Sequence, residues 1–324
     1  MMNRKAQVIN LWRTCFGDPE SFISLFFDHI YKEEQTLTLE KEGQVVSALQ
    51  VLPYEMCYYG TTLPVGYLCG VSTLPAEQGK GYMRQLMEQT LPYLRKKGFV
   101  LSFLIPAEPW LFDYYASMGY TSAFSYSMTS YSDEIYKGVE TNGYTLCEEL
   151  VDSPSFPALH TYIDRHLGLR PIGLLHTAAD LRINLIDYAQ SGGGVFTLRD
   201  NRQQIQAAAF ALPQSAVAND AAHELLVKEC FVEKESLRPL LFKLLMAHFQ
   251  VKQVWLKGPT SETSLSHPMG MAHLIDPASL CRIWQAHHPG KYTLEELLAL
   301  PAKELTQKLF NVSECPPYLS LMLD

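Results

Sequence analysis

The run Gln78-Gly79-Lys80-Gly81-Tyr82-Met83 holds the residues of this sequence best suited to gripping a reactive molecule. Two glycines within three positions permit positive φ, and they let main-chain N–H groups converge with no Cβ between them. A helical pattern follows at once: over 79–97, Met83, Leu86, Met87, Leu91 and Leu94 share one face. A turn that opens a helix adds unpaired amides and a partial positive charge, and that combination suits a pyrophosphate. Spacing excludes two familiar phosphate loops. A Walker-type loop needs glycine five places before Gly79 and Ser or Thr after Lys80, where this chain has Leu74 and Gly81. A dinucleotide fingerprint needs a small residue where Arg84 stands, and it belongs at the first strand of a fold.

The turn must be fed by a strand, and residues 65–73 supply an extended run into it. Extended stretches at 36–40 and 44–59 precede that run, joined at Glu42-Gly43 as in a hairpin. Ahead of them, Val8, Leu11, Trp12 and Cys15, then Phe22, Leu25, Phe26, His29 and Ile30, lie at helical spacing on either side of Gly17-Asp18-Pro19. Pro92 is expected to bend or interrupt the last turn of the helix over 79–97, and Lys96-Lys97-Gly98 to stop it. An apolar strand at 99–105 ends at Pro106, a short helix covers 109–118, and alternating Ser and aromatic residues form a strand to about 131.

After Asp152-Ser153-Pro154 a second unit shows helices at 156–167 and 178–189 and strands at 195–199, 205–212, 225–231 and 254–257. Its last two strands flank a helix bearing Leu237, Leu240, Leu241, Leu244 and Leu245. Strand, short connection, helix, strand and proline therefore occur twice, the second time without glycines, as in a diverged internal duplication. From 260 onward the pattern is one of packing helices, with Thr293 to Glu296 as a capping box. The expected domains are 1–148, 149–260 and a helical extension with an apolar tail, 261–324.

Composition narrows the partners. With 26 basic and 34 acidic residues, a net charge of −8, the chain lacks the clustered Lys and Arg of a nucleic-acid surface and mildly favours a cationic partner. Its apolar runs are too short to span a bilayer and its start has no signal-peptide core, so a cytoplasmic protein with no membrane partner is expected. Seven scattered cysteines, with no CxxC pair and no histidine cluster at zinc spacing, read as reduced, mostly buried thiols, and no metal site is expected.

At Gln78-Gly79-Lys80-Gly81-Tyr82-Met83 the chain resembles the GNAT superfamily of acetyltransferases, whose loop reads Gln/Arg-x-x-Gly-x-small. Met83 departs from the usual glycine or alanine. A second likeness lies at 112–120, Phe-Asp-Tyr-Tyr-Ala-Ser-Met-Gly-Tyr, where Tyr115 stands four residues before Gly119 and an aromatic. Within the superfamily the chain is similar to the enhanced intracellular survival acetyltransferases, on Gly70-Val71-Ser72-Thr73-Leu74-Pro75, on Met83-Arg84-Gln85-Leu86-Met87 and on the glycine-poor second copy. Where those relatives have a full third domain, this chain has about sixty residues. The resemblance implies an α/β fold: a GNAT-type mixed central sheet flanked by helices, a second degenerate GNAT-like domain and a short helical C-terminal segment.

It further implies acetyl-coenzyme A as cosubstrate and direct transfer to a primary amine on a small molecule or peptide. Backbone groups of Val71 and Thr73 would pair with the pantetheine amides. The N–H groups from Gln78 to Met83 (Gln78, Gly79, Lys80, Gly81, Tyr82 and Met83) would hold the pyrophosphate, with Lys80 and Arg84 as charge partners. Tyr115 would protonate the departing thiolate, with Tyr114 the adjacent competitor. No protein nucleophile is needed, and Cys69 reads as packing. A base must take the amine's proton: Glu108, Asp113 and Glu55 are acidic candidates, and in the resembled family the C-terminal carboxylate, here Asp324, serves. Such relatives often assemble, so a homo-oligomer is allowed. The rival readings are a transferase that uses charged tRNA and a GNAT-shaped binding or scaffold protein without turnover. The second domain, with Glu233 and Glu235 where glycines would stand, is expected to bind no coenzyme A and to wall the acceptor site.

Overall fold

A computed structural model describes residues 3–136, 143–214, 224–260, 264–311 and 317–323. Its residues divide into two compact units, Met1–Phe124 with Pro268–Pro316, and Ser125–His267 with Pro317–Asp324.

The first unit opens with α1 (Arg4–Phe16) and α2 (Glu20–His29). The Asn3 side chain caps α1 by accepting the Ala6 N–H at 2.8 Å, and Gly17 ends it in the left-handed conformation. Three antiparallel strands follow, β1 (Thr36–Lys41), β2 (Gln44–Tyr58) and β3 (Thr61–Thr73). Both connecting turns are two residues long with both residues at positive φ, Glu42-Gly43 and Tyr59-Gly60, as a tight hairpin requires. Then come α3 (Tyr82–Lys96), β4 (Leu101–Leu104), parallel to β3, and α4 (Pro109–Ala116). Of the two outcomes expected at Pro92, interruption does not occur: α3 runs through it unbroken. The proline removes one ladder bond, but Leu86 before it and Leu94 after it are both fully buried, so the apolar face holds the helix on the sheet.

The strand β5 (Thr121–Ser132) leads into the second unit: β6 (Tyr144–Glu149), α5 (Phe156–Gly168), β7 (Ile172–Leu175), α6 (Ala178–Gln190), β8 (Gly194–Asp200), β9 (Ile205–Gln214), β10 (Glu224–Val232), α7 (Arg238–Phe249) and β11 (Gln253–Gly258). Its strands are ordered β5-β11-β10-β9-β8-β6, and β10–β11 is the parallel pair. The expected duplication is visible in this register. In the first unit Val65, Gly66 and Tyr67 pair with Leu101, Ser102 and Phe103; in the second, Leu225, Leu226 and Val227 pair with Val254, Trp255 and Leu256.

Residues after 260 differ from the helical reading. The chain returns to the first unit as a strand, β12 (His267–Leu274), antiparallel to β4 with Met271 opposite Leu104, before α8 (Pro277–His287), α9 (Leu294–Leu298) and α10 (Ala302–Leu309). The capping box on α9 is present, Thr293 and Glu296 each bonding the other's backbone N–H. The compact units also differ from the boundaries at 148 and 260. From Ser127 to Ser132, β5 pairs with β11, which puts that stretch in the second unit, and residues 268–311 and 317–323 go to different units instead of forming a third.

Candidate active site

The site is set by where β3 parts from β4. Their pairing ends at Tyr67 and Phe103, while β3 continues six residues further, to Thr73. A bulge lies in this stretch: Gln50 pairs with Cys69 but Ala48 with Ser72. Gly70 makes the bulge with φ +57, and a Cβ there would lie 2.0 Å from Gln50 Oε1 and 2.4 Å from Trp12 Cζ3. Bulges bend and twist a strand, and here one re-aims the stretch carrying Val71 and Thr73. Ser47 holds the strand end, its hydroxyl donating to the Ser72 carbonyl at 3.0 Å and lying 2.9 Å from Thr73 Oγ1.

After Thr73 the chain makes a single tight turn over Pro75–Glu77, and Gln78 Nε2 reaches back to the Thr73 carbonyl at 3.3 Å. Gly79 and Gly81 both take left-handed backbone, φ +75 and +83. Nothing lies within 4 Å of a Cβ added at either, so it is conformation and not crowding that calls for glycine. Gly81 stands at the N-cap of α3, where no side chain caps the helix, and the first helical bond runs from Gln85 N–H to the Gly81 carbonyl. The first-turn amides are therefore presented with the positive end of the helix dipole behind them. The Gln78 N–H already donates to the Pro75 carbonyl.

These elements enclose a groove of about 450 Å³ lined by Val71, Thr73, Glu77, Gln78, Gly79, Gly81, Tyr82, Met83, Arg84, Trp110, Leu111, Tyr114 and Tyr115. Of the residues singled out in the sequence, it brings together Val71, Thr73, Gln78, Gly79, Gly81, Tyr82, Met83, Arg84 and Tyr115. Lys80 and Glu108 are not among the lining residues. Lys80 Nζ sits 2.9 Å from Glu77 Oε2, Lys41 Nζ is 3.1 Å from Glu77 Oε1, and the two lysines hold the Glu77 carboxyl below its usual range. Glu108 is exposed at the N-cap of α4. Arg84 is braced across the groove, Nη2 donating to Ser117 Oγ at 2.9 Å. Asp324 lies outside the described residues.

Tyr115 is 6% exposed, and burial, aided by Tyr114, drives its phenol pKa well above the ordinary value. The hydroxyl is thus protonated at neutral pH. Burial likewise raises the Cys69 thiol, which suppresses the thiolate a nucleophile needs. Sequence reasoning passed over Glu77, Trp110 and Leu111 as groove residues; the spacing of Trp110, Leu111, Tyr114 and Tyr115 along one short helix was the available signal. It also passed over Gln50, 1% exposed beside the bulge, whose Nε2 and Oε1 have no partner among the described residues. Among the described residues no group of three or more His, Cys, Asp or Glu could hold a metal, and no helix is long and apolar enough to cross a membrane.

A family model for the acetyltransferase (GNAT) domain matches residues 3–123. The first unit carries a GNAT acetyltransferase domain. The match stops within a residue of the first segment of that unit, and the parted β3–β4 pair, the glycine turn and α3 all fall inside the GNAT domain. No curated protein matches the sequence. Solved structures do resemble the chain. A probable N-acyltransferase of Enterococcus faecalis V583 is 15% identical, with a TM-score of 0.68 over 84% of this chain and 70% of that one. A GCN5-related N-acetyltransferase from Anabaena variabilis is 14% identical, with a TM-score of 0.68 over 85% and 71%. Eis1 from Mycobacterium abscessus is 13% identical, with a TM-score of 0.64 over 87% and 74%. At such identities the likeness is one of fold, and it reaches well beyond residues 3–123.

Proposed function

We propose that the GNAT domain moves an acetyl group from acetyl-coenzyme A directly to a primary amine of a small molecule or peptide. The observation that carries this reading is the single groove joining an unpaired strand edge, an uncapped glycine turn and a buried phenol. Val71 and Thr73 offer strand-edge groups to the pantetheine amides. The backbone from Gly79 to Met83, with Arg84 and the nearby Lys80, takes the pyrophosphate. Gln78 contributes by tying the turn to Thr73 through its side chain.

In the reaction the amine nitrogen bonds to the thioester carbonyl carbon, the carbon–sulfur bond breaks, and Tyr115 gives its proton to the leaving sulfur. A phenol with an ordinary pKa of about 10 already carries that proton at neutral pH. The attacking amine, with a free pKa of about 10.4, is well under 1% neutral at pH 7 and must lose a proton first. Glu108, at the start of α4, is the acceptor we put forward for it. The six described cysteines are free thiols, in keeping with work in the reducing cytoplasm.

The test is Tyr115→Phe. Binding of acetyl-coenzyme A by calorimetry should stay within about twofold, while thiol release with a good amine drops on the order of 10²–10⁴-fold. Unchanged turnover would remove Tyr115 from the chemistry; cofactor binding by the wild type without turnover on any amine panel would favour a non-catalytic binding protein.

A further inference from the structure

Trp110 is 65% exposed, yet it lies on the first turn of α4 and lines the groove. At the lip of the groove this indole offers a flat apolar face to whatever enters. The rest of the aromatic wall shows which part of a ligand would cover it. Trp110 and Tyr114 meet edge to face at 6.1 Å, and Tyr114 meets Tyr115 at 5.5 Å. Along these contacts exposure falls from Trp110, through half-buried Tyr114, to buried Tyr115. On the facing side, Gly79 and Gly81 are exposed while Met83 is buried. The groove therefore has an open end at Trp110 and the glycine turn, and a closed end at Tyr115 and Met83.

From this gradient we infer that Trp110 is the stacking platform for the adenine base of the cofactor, a specificity-determining residue for its purine nucleotide. The inference rests on the acetyl-coenzyme A reading above. Transfer chemistry belongs at the closed end, where water is excluded and the Tyr115 phenol stays protonated, so the nucleotide is left at the open end. Pantetheine is a chain of amides and methylenes suited to a strand edge; adenine is the one flat π-face the cofactor owns, and an indole face is its natural partner. Arg84, held on Ser117 at the other end of α4, lines the same groove and can supply positive charge for the phosphates.

The experiment uses the full chain and four probes: coenzyme A, adenosine 3′,5′-bisphosphate, pantetheine and acetyl-pantetheine. Trp12 and Trp284 are buried, and the indole of half-buried Trp255 donates to Glu224 at 2.8 Å, so Trp110 is the indole open to a ligand. Coenzyme A and the bisphosphate should quench tryptophan fluorescence, pantetheine should not, and Trp110→Phe should abolish the quench. Trp110→Ala should raise the KM for acetyl-coenzyme A about ten- to a hundredfold with kcat within about twofold, and Trp110→Phe should rescue most of it. With acetyl-pantetheine as donor, Trp110→Ala should change kcat/KM less than twofold. An equal loss on both donors, or a change confined to the amine's KM, would overturn the assignment and place the indole against the pantetheine or the acceptor. Failure of the wild type to bind coenzyme A at all would instead sink the cofactor reading itself.

Discussion

Three glycines of the site answer to different constraints. At Gly70 an added Cβ would run into Trp12, whose ring is already packed against Phe26 at 4.6 Å and Phe27 at 5.5 Å and has nowhere to go. Gly70→Ala should therefore cost about 2–4 kcal/mol, left-handed strain and overpacking together, measured by urea denaturation. Gly79→Ala and Gly81→Ala meet open space, so each should cost only about 1–2 kcal/mol of backbone strain and weaken coenzyme A binding far more than stability. Equal stability losses at all three would contradict the distinction. The two turn glycines could be read from the sequence because spacing alone exposes them. The role of Gly70 could not be, because it depends on Gln50 and Trp12, twenty and fifty-eight residues away, and on the register that brings them together.

Among the elements, β12 decides whether β4 is an edge. At four residues β4 has little hold of its own, and β12 pairs with all of it on the side away from β3. Met271 enters the apolar cluster that also contains Met83 and Tyr115. Met271→Ala should lower stability by about 2–5 kcal/mol and, by loosening that cluster, raise the KM for the acyl donor; an unchanged melting temperature and KM would show that the strand is dispensable. The first nine elements, α1 to α4 with β1 to β5, and the helices of the second unit were readable from apolar period and turn residues, apart from their exact ends. By contrast β12 reads His-Pro-Met-Gly-Met-Ala-His-Leu. Proline and glycine inside a strand argue against one, and it is pairing with a distant strand such as β4, not local sequence, that makes this one favourable. The short β6 and β7 escaped for a similar reason, each being too brief to show a period.

At the scale of the whole molecule, the chain's last described segment is part of the interior of the second unit. Tyr318, Leu319, Ser320, Leu321 and Met322 are all buried. Pro317 accepts the Ser125 N–H at 2.9 Å, the Tyr318 hydroxyl donates to the Lys228 carbonyl at 2.9 Å, and the Leu321 N–H donates to Glu229 Oε1 at 2.8 Å. The last two contacts fall just past Val227, where β10 parts from β11, the position at which β3 parts from β4 in the GNAT domain. Burial pushes the Glu229 carboxyl up to about 7, against the opposing pull of Arg170. Below about pH 4.5 it is protonated whether folded or unfolded. As pH rises from there to 7, the unfolded chain ionises first, so stability falls through that window, by on the order of 3 kcal/mol, and is flat above it. His176, whose ring Nε2 lies 2.9 Å from the Ser320 carbonyl, is depressed by burial and acts in the opposite sense, losing stability as pH falls below its ordinary 6.5. The difference in melting temperature between Glu229→Gln and wild type should isolate the carboxyl, with the variant gaining as pH rises from 5 to 7; a constant difference would mean that Glu229 keeps an ordinary pKa.

The interleaving of the two units also sets a schedule. One needs β12 and the helices up to Leu309, the other needs Tyr318 to Met322. While a ribosome is still delivering residue 260, neither half can close its interior, so β4 lacks β12 and β10 lacks the strand of chain that later lies beside it. Nascent protein should therefore lean on chaperones for most of its synthesis, and truncation at the apparent boundary after β11 should yield two sticky fragments in place of two folded domains.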